Sequence, residues 1–142
     1  SSAPEKPKFR KSKKFTEGQK ERLNKAYQKI TRKLAKTYDK RNKKLPTIFI
    51  THNVPYNTKL DIALNKKSYA YKKHLGSTIA REFCSKHQPL LCIGGHIHEH
   101  FRKDKIKKTI VINAGFGVDK NVLVEFKSGK IKSIKFHKSS IK

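Results

Sequence analysis

Leu90-Leu91-Cys92-Ile93-Gly94-Gly95-His96-Ile97-His98-Glu99 decides how this chain is read. The short apolar run after Pro89 has the length and composition of a buried strand, and it ends in two glycines and two histidines. Upstream, Thr47-Ile48-Phe49-Ile50-Thr51 reads as a second core strand and runs directly into His52. Neutral imidazole is a ligand for zinc, iron, nickel and manganese, and strand ends bring side chains together at one edge of a sheet. Three histidines so placed point to a metal or phosphate site. If the strand continued through them, His96 and His98 would share a face. If the backbone turns at Gly94-Gly95, they reach different ions.

Working outward, the histidine cluster sits within an alternation of elements. Thr16 offers an N-cap, with Gln19 three residues later completing a capping box. Leu23, Ala26, Tyr27, Ile30, Leu34 and Tyr38 follow at spacings of three and four, which predicts a long amphipathic helix ending near Arg41 to Lys44. Gly76-Ser77-Thr78 starts a second helix that turns Ile79, Phe83 and Cys84 inward and stops before Pro89. Lys66 to Leu75 reads as loop or short helix. Beyond the histidines, Thr109–Asn113, Asn121–Phe126 and Ile131–Phe136 read as strands, the last two joined by Lys127-Ser128-Gly129-Lys130 into an antiparallel hairpin. The order helix, strand, helix, strand and then consecutive strands indicates a layered, mixed α/β fold.

At 142 residues the chain has room for one domain with a modest core. Residues 1–15, rich in Pro, Lys and Ser, read as a flexible basic arm, and residues 16–142 as the folded body. Lys and Arg outnumber Asp and Glu by 36 to 10, a formal charge of +26. Such a field attracts polyanions and phosphate-bearing ligands without specifying which. Nucleic acid, an acidic partner and simple compositional bias toward lysine are all open readings. Residues 1–44 hold 17 basic and 4 acidic residues, so half of the excess lies in under a third of the chain. Cys84 and Cys92 lack a CxxC spacing and read as reduced core thiols. No apolar run approaches the roughly 18 residues of a membrane span, and no secretory core is visible near residue 1. A soluble, cytoplasmic protein with no membrane partner is therefore expected.

The motifs also carry a resemblance. Gly95-His96-Ile97-His98 matches the Gly-His-X-His motif of calcineurin-like metallophosphoesterases, and Thr51-His52-Asn53-Val54-Pro55-Tyr56-Asn57-Thr58-Lys59-Leu60-Asp61 resembles that family's strand-end histidine loop. Val111-Ile112-Asn113-Ala114-Gly115 resembles its Asn-Pro-Gly stretch, with Ala for Pro. Over residues 16–142 the chain resembles the C-terminal half of such an enzyme, close in pattern to small prokaryotic members resembling cyclic-nucleotide phosphodiesterases. The resemblance implies half of a four-layer α/β/β/α sandwich, a mixed sheet with a C-terminal antiparallel hairpin, and hydrolysis of a phosphoester. It implies two divalent ions, of manganese, iron, zinc or nickel, about 3.5 to 4 Å apart, which activate water and neutralise charge developing at phosphorus. His52 and His96 would ligate one ion and His98 the other.

The departures are as informative as the match. The family's Asp-X-His, Gly-Asp and Gly-Asn-His motifs are absent, and the only aspartates are Asp39, Asp61, Asp104 and Asp119. The chain alone is expected to be inactive. It reads as a split enzyme completed by a complementary N-terminal half polypeptide, as a fragment of a longer chain, or as a decayed copy kept as a basic nucleic-acid-binding module. Tyr56 and Asn57 are candidates for lining a substrate pocket. Asn113 is a candidate for orienting a ligand or phosphate, or simply for turn geometry. His74, His87, His100 and His137 lie in polar stretches and are expected at the surface, with His100 near enough to the cluster for an outer-shell or substrate contact.

Overall fold

A computed structural model describes residues 6, 15–115 and 119–139. All but Lys6 and Phe15 of the expected N-terminal arm therefore lie outside the described residues. The chain divides into two compact units, residues 1–43 and 44–142.

The first unit contains helix α1, Glu17–Asp39. Its start is the expected capping box: the Thr16 hydroxyl accepts the Gln19 N–H at 3.2 Å, and Gln19 Oε1 accepts the Thr16 N–H at 3.0 Å. It stops two residues before the expected end. Arg41 folds back, its guanidinium 3.5 Å over the Tyr38 ring and donating at 2.9 Å to the Tyr38 carbonyl, a last-turn acceptor that also takes the Arg41 N–H at 3.2 Å. No residue of α1 is fully buried.

The second unit is built on a four-stranded mixed sheet of β1 (Ile48–Asn53), β2 (Leu91–Gly95), β3 (Lys103–Ile106) and β4 (Thr109–Asn113), in the order β1-β2-β4-β3. β1, β2 and β4 are parallel, and β3 runs antiparallel to β4. Parallel neighbours need a long crossover. Between β1 and β2 it is supplied by a loop and helix α2 (Thr78–His87), capped by the Ser77 hydroxyl on the Ala80 N–H and ended at Gln88, whose φ is 46°. β5 (Lys120–Lys127) and β6 (Lys130–Lys138) form a separate antiparallel hairpin. Its two-residue turn has Ser128 at φ 49° and Gly129 at φ 72°, the paired left-handed conformation that matches strand twist. Mixed α/β class and the C-terminal hairpin are thus as expected. Among the described residues no helix is long and apolar enough to cross a membrane.

Register explains the core. Phe49 pairs with Cys92 and Cys92 with Val111, so one row across three strands faces the same side. Cys92 and Val111 cluster there with Val54, Leu60, Cys84, Ile97 and Ile106, and the Phe49 and Phe83 rings meet at 4.3 Å. Each such side chain, fully buried, contributes about 1.5–3 kcal/mol. Cys84 and Cys92 are free thiols, as expected. Their mutual hydrogen bond lowers Cys84, and the same bond together with burial pushes the Cys92 thiol well above its ordinary value.

The strands depart from the sequence reading in two places. β3 was not expected, because Lys103-Asp104-Lys105 offers almost no apolar signal. β1 extends past Thr51, so that His52 lies within the strand. Of the two alternatives at Gly94-Gly95, β2 runs through both glycines and ends at Gly95.

Candidate functional site

His52 and His96 come together where β1 and β2 end. On β1, Ile50 pairs with Ile93 and Asn53 with Gly95, so three steps on one strand oppose two on the other. The extra residue is a bulge at Thr51-His52, a device that re-aims a side chain at a strand end. After Gly95 the chain turns tightly, with the Ile97 N–H donating to the Gly95 carbonyl at 2.9 Å around His96, whose φ is 71°. A non-glycine residue in that conformation is strained, by on the order of 1–3 kcal/mol, and such strain concentrates at functional positions. The consequence is that His52 Nε2 lies 3.2 Å from His96 Nδ1, with ring centroids 4.9 Å apart and both residues exposed.

The loop carrying His96 is anchored from beneath. Ile97 is 4% exposed and belongs to the core cluster, which turns its neighbours His96 and His98 outward. Asn113, buried at the end of β4, donates from Nδ2 to the Ile97 carbonyl at 2.6 Å and accepts the Gly115 N–H on Oδ1 at 3.1 Å. Asn113 is thus a brace for the histidine turn, and this contact is what the Asn-Ala-Gly stretch does locally. Asn113→Ala removes both bonds, leaving the Ile97 carbonyl only the longer 3.4 Å bond from the His100 N–H, and the expected result is a loss of about 1–3 kcal/mol in a thermal or urea unfolding experiment.

His98 occupies an exposed turn one residue beyond Ile97. Among the described residues no group of three or more His, Cys, Asp or Glu side chains is arranged to hold one ion. The structure therefore brings His52 and His96 together, and the two do not combine with His98 into a three-ligand group.

His100 is not a surface residue, contrary to expectation. It is 4% exposed, and its Nε2 donates to the Ile62 carbonyl at 2.6 Å, tying the histidine turn to the loop after β1. His74 is half-buried and donates from Nδ1 to Asp61 Oδ1 at 2.7 Å, again unlike a solvated side chain. His87 is half-buried, its ring centroid 4.8 Å from that of Phe83, while His137 is exposed on β6. Tyr56 packs edge-on against His74 at 5.6 Å, and its N–H donates to the Ser77 carbonyl. Asn57 is exposed, at φ 57°, and its carbonyl accepts from Arg81 at 3.0 Å.

Asp61, which the sequence reading places in the histidine loop without giving it a role, is the residue whose part was missed. Its carboxylate is fully buried and accepts four bonds: the Asn57 and Thr58 N–H groups at 2.9 Å each, the Gly76 N–H at 3.1 Å, and His74 Nδ1. It gathers both ends of the loop after β1 around one charge. Asp104 and Arg102 extend the brace: Asp104 Oδ2 accepts the Lys59 N–H at 2.8 Å, and Arg102 donates to the Lys59 carbonyl at 2.7 Å. The available signal was an Asp three and four residues after Thr58 and Asn57, a spacing at which a carboxylate reaches back to turn N–H groups.

Comparison of the chain with models of known protein families, with curated proteins and with solved structures gives no match.

Proposed function

We propose that this chain supplies the histidine side of a metal-dependent phosphoester hydrolase. His52 and His96 share one divalent ion, and His98 is offered to a second. The acidic ligands come from a complementary polypeptide, which in joining the sheet completes a four-layer α/β/β/α sandwich. The observation that carries this reading is the 3.2 Å separation of His52 Nε2 and His96 Nδ1, both exposed at the carboxyl ends of adjacent parallel strands. Two imidazoles on one tetrahedral ion, at metal–nitrogen distances of 2.0–2.1 Å, place their nitrogens about 3.3 Å apart. The donor pair therefore fits half of one coordination sphere.

When bound, the ions supply Lewis acidity toward a phosphoryl oxygen. The chain's own residues do the rest of what can be assigned to it. The β1 bulge and the His96 turn aim the two imidazoles, Asn113 and Ile97 hold that turn in place, and Asp61 and His100 fix the loop beside it. The net charge of +26 raises the local concentration of an anionic ester. Manganese, iron, zinc and nickel all suit imidazole.

The test is to isolate the chain from its own source with whatever it binds, and to measure subunit composition, metal content and hydrolysis of bis(p-nitrophenyl) phosphate. The expected result is a stoichiometric partner and about two metal ions per complex. His52→Ala and His96→Ala should each lower hydrolysis by about 100-fold or more, the several kcal/mol that Lewis-acid stabilisation is worth. A metal-free complex, or hydrolysis unchanged in both variants, overturns the reading.

A further inference from the structure

The exposed basic face of α1 is a second feature, and it stands independently of the histidines. Arg22, Lys25, Lys29, Arg32, Lys33, Lys36 and Lys40 are all exposed. At 3.6 residues per turn they fall within a sector about 100° wide, along about 27 Å of helix. Lys25, Lys29, Arg32, Lys33, Lys36 and Lys40 also line one groove of about 680 Å³ on the helix surface.

We propose that this face binds the sugar–phosphate backbone of a nucleic acid. The argument rests on how the charges are distributed. Lys25/Lys29, Lys29/Lys33, Arg32/Lys36 and Lys36/Lys40 are like-charge pairs at i,i+4, an arrangement that destabilises a helix. Among the described residues the ion pair on this face is Lys25 with Glu21, at 2.6 Å. A solvated helix face that served solubility alone would interleave acids with these bases. Seven cations along about 27 Å have a mean spacing of about 4.5 Å, of the same order as the roughly 3.4 Å per phosphate along one strand of a duplex. A polyanion of that pitch removes the repulsion along the whole face at once.

A membrane surface fits less well. The apolar residues Leu23, Ala26, Tyr27, Ile30, Leu34 and Tyr38 are centred about 135° around the helix from the cations. Burying them in lipid would lift the lysines into water, whereas interfacial helices keep their cations at the flanks, within reach of headgroups. The contacts are to phosphates, so the face selects charge spacing and carries no base sequence.

The test uses the full chain and fluorescence anisotropy with a labelled 20-nucleotide RNA and a 20-base-pair DNA duplex, which separate the two sources of the same backbone. With about six phosphates contacted on RNA, the logarithmic salt slope is about −4, so affinity falls by about 300-fold between 50 and 200 mM salt. Replacing Lys25, Lys29, Lys33 and Lys36 together by Gln should weaken binding by about 100-fold at 100 mM salt and make the slope shallower by about three. Replacing the exposed Lys66, Lys67, Lys130 and Lys132 by Gln removes the same charge elsewhere and should cost less than about fivefold. Lys→Arg at the four α1 positions should keep binding, which separates lost charge from a lost helix. Four results would each overturn the proposal: equal losses from the two Gln variants, no binding to either probe at 100 mM salt, no binding by the Arg variant, or tighter binding to phosphatidylserine vesicles or polyglutamate than to nucleic acid.

Discussion

Asp61→Asn should lower the stability of the unit spanning residues 44–142 by about 3–5 kcal/mol, although it changes one atom in a side chain. The carboxylate is fully buried and faces four donors: the backbone N–H groups of Asn57, Thr58 and Gly76, and His74 Nδ1. A carboxylate has acceptor capacity for all four, whereas an amide replaces one oxygen by an NH₂ group that is itself a donor. Whichever way the amide turns, donors meet donors. Each buried group left unsatisfied costs about 1–3 kcal/mol, and charge-assisted bonds to a buried anion are the stronger kind. His74→Ala should cost less, about 1–2 kcal/mol, because the His74 side chain is 32% exposed and water can reach the freed oxygen. Urea denaturation of both variants at pH 7 checks the difference. If the two substitutions cost the same, Asp61 is only the partner of His74 and does not organise the loop.

The loop that Asp61 organises illustrates which parts of this molecule were legible in the sequence. Elements specified by neighbours along the chain could be read directly. Thr16 with Gln19, Ser77 before α2, the strand Thr109–Asn113 and the Ser128-Gly129 turn are all set by groups within a few residues of one another. Elements specified across the fold could not. β3 has a charged sequence and exists because β4 offers it a ladder, with Asp104 also accepting the Lys59 N–H from 45 residues away. His100 looks solvent-bound among Glu99, Phe101 and Arg102, yet its proton goes to a carbonyl 38 residues distant. The β1 bulge leaves no mark on composition at all. For the candidate site, the positions of His52 and His96 at strand ends were readable, and the pairing of Ile48 with Leu91 is what places those ends side by side. Readable too was the choice between a strand that continues through the histidines and a turn at Gly94-Gly95. That the turn falls at His96 was not, since it is set by burial of Ile97 and by Asn113 from another strand.

The two adjacent glycines of β2 should respond very unequally to alanine, and this contrast tests how the histidine pair is built. A Cβ on Gly94 would lie 2.9 Å from both Val54 N and Val54 Cα and 3.1 Å from Asn53 C. All three are backbone atoms at the end of β1, so no side-chain rotation relieves the contact, and the strands must part. Overpacking of this kind costs about 1–3 kcal/mol and occasionally more. A loss near 3 kcal/mol in a unit of this size lowers the melting temperature by roughly 10 °C or more. On Gly95 the nearest atoms to a Cβ would be the Gly115 carbonyl oxygen at 3.6 Å and the His52 carbonyl oxygen at 3.8 Å, which is ordinary contact. Gly95→Ala should therefore melt within a few degrees of the parent. The functional consequence follows the same line. His52 precedes Asn53 on β1, and His96 follows Gly95 on β2, so moving the strands apart at Gly94 widens the 3.2 Å gap between the imidazoles. Titration with zinc or nickel, followed through the His52 and His96 ring resonances, should show linked perturbation of both rings in the parent and in Gly95→Ala, and its loss in Gly94→Ala at a temperature where that variant is still folded. Equal melting temperatures for the two variants would mean that β1 yields locally at Val54. The spacing of the histidines would then be set by the bulge and the His96 turn, without the close approach of the two strands.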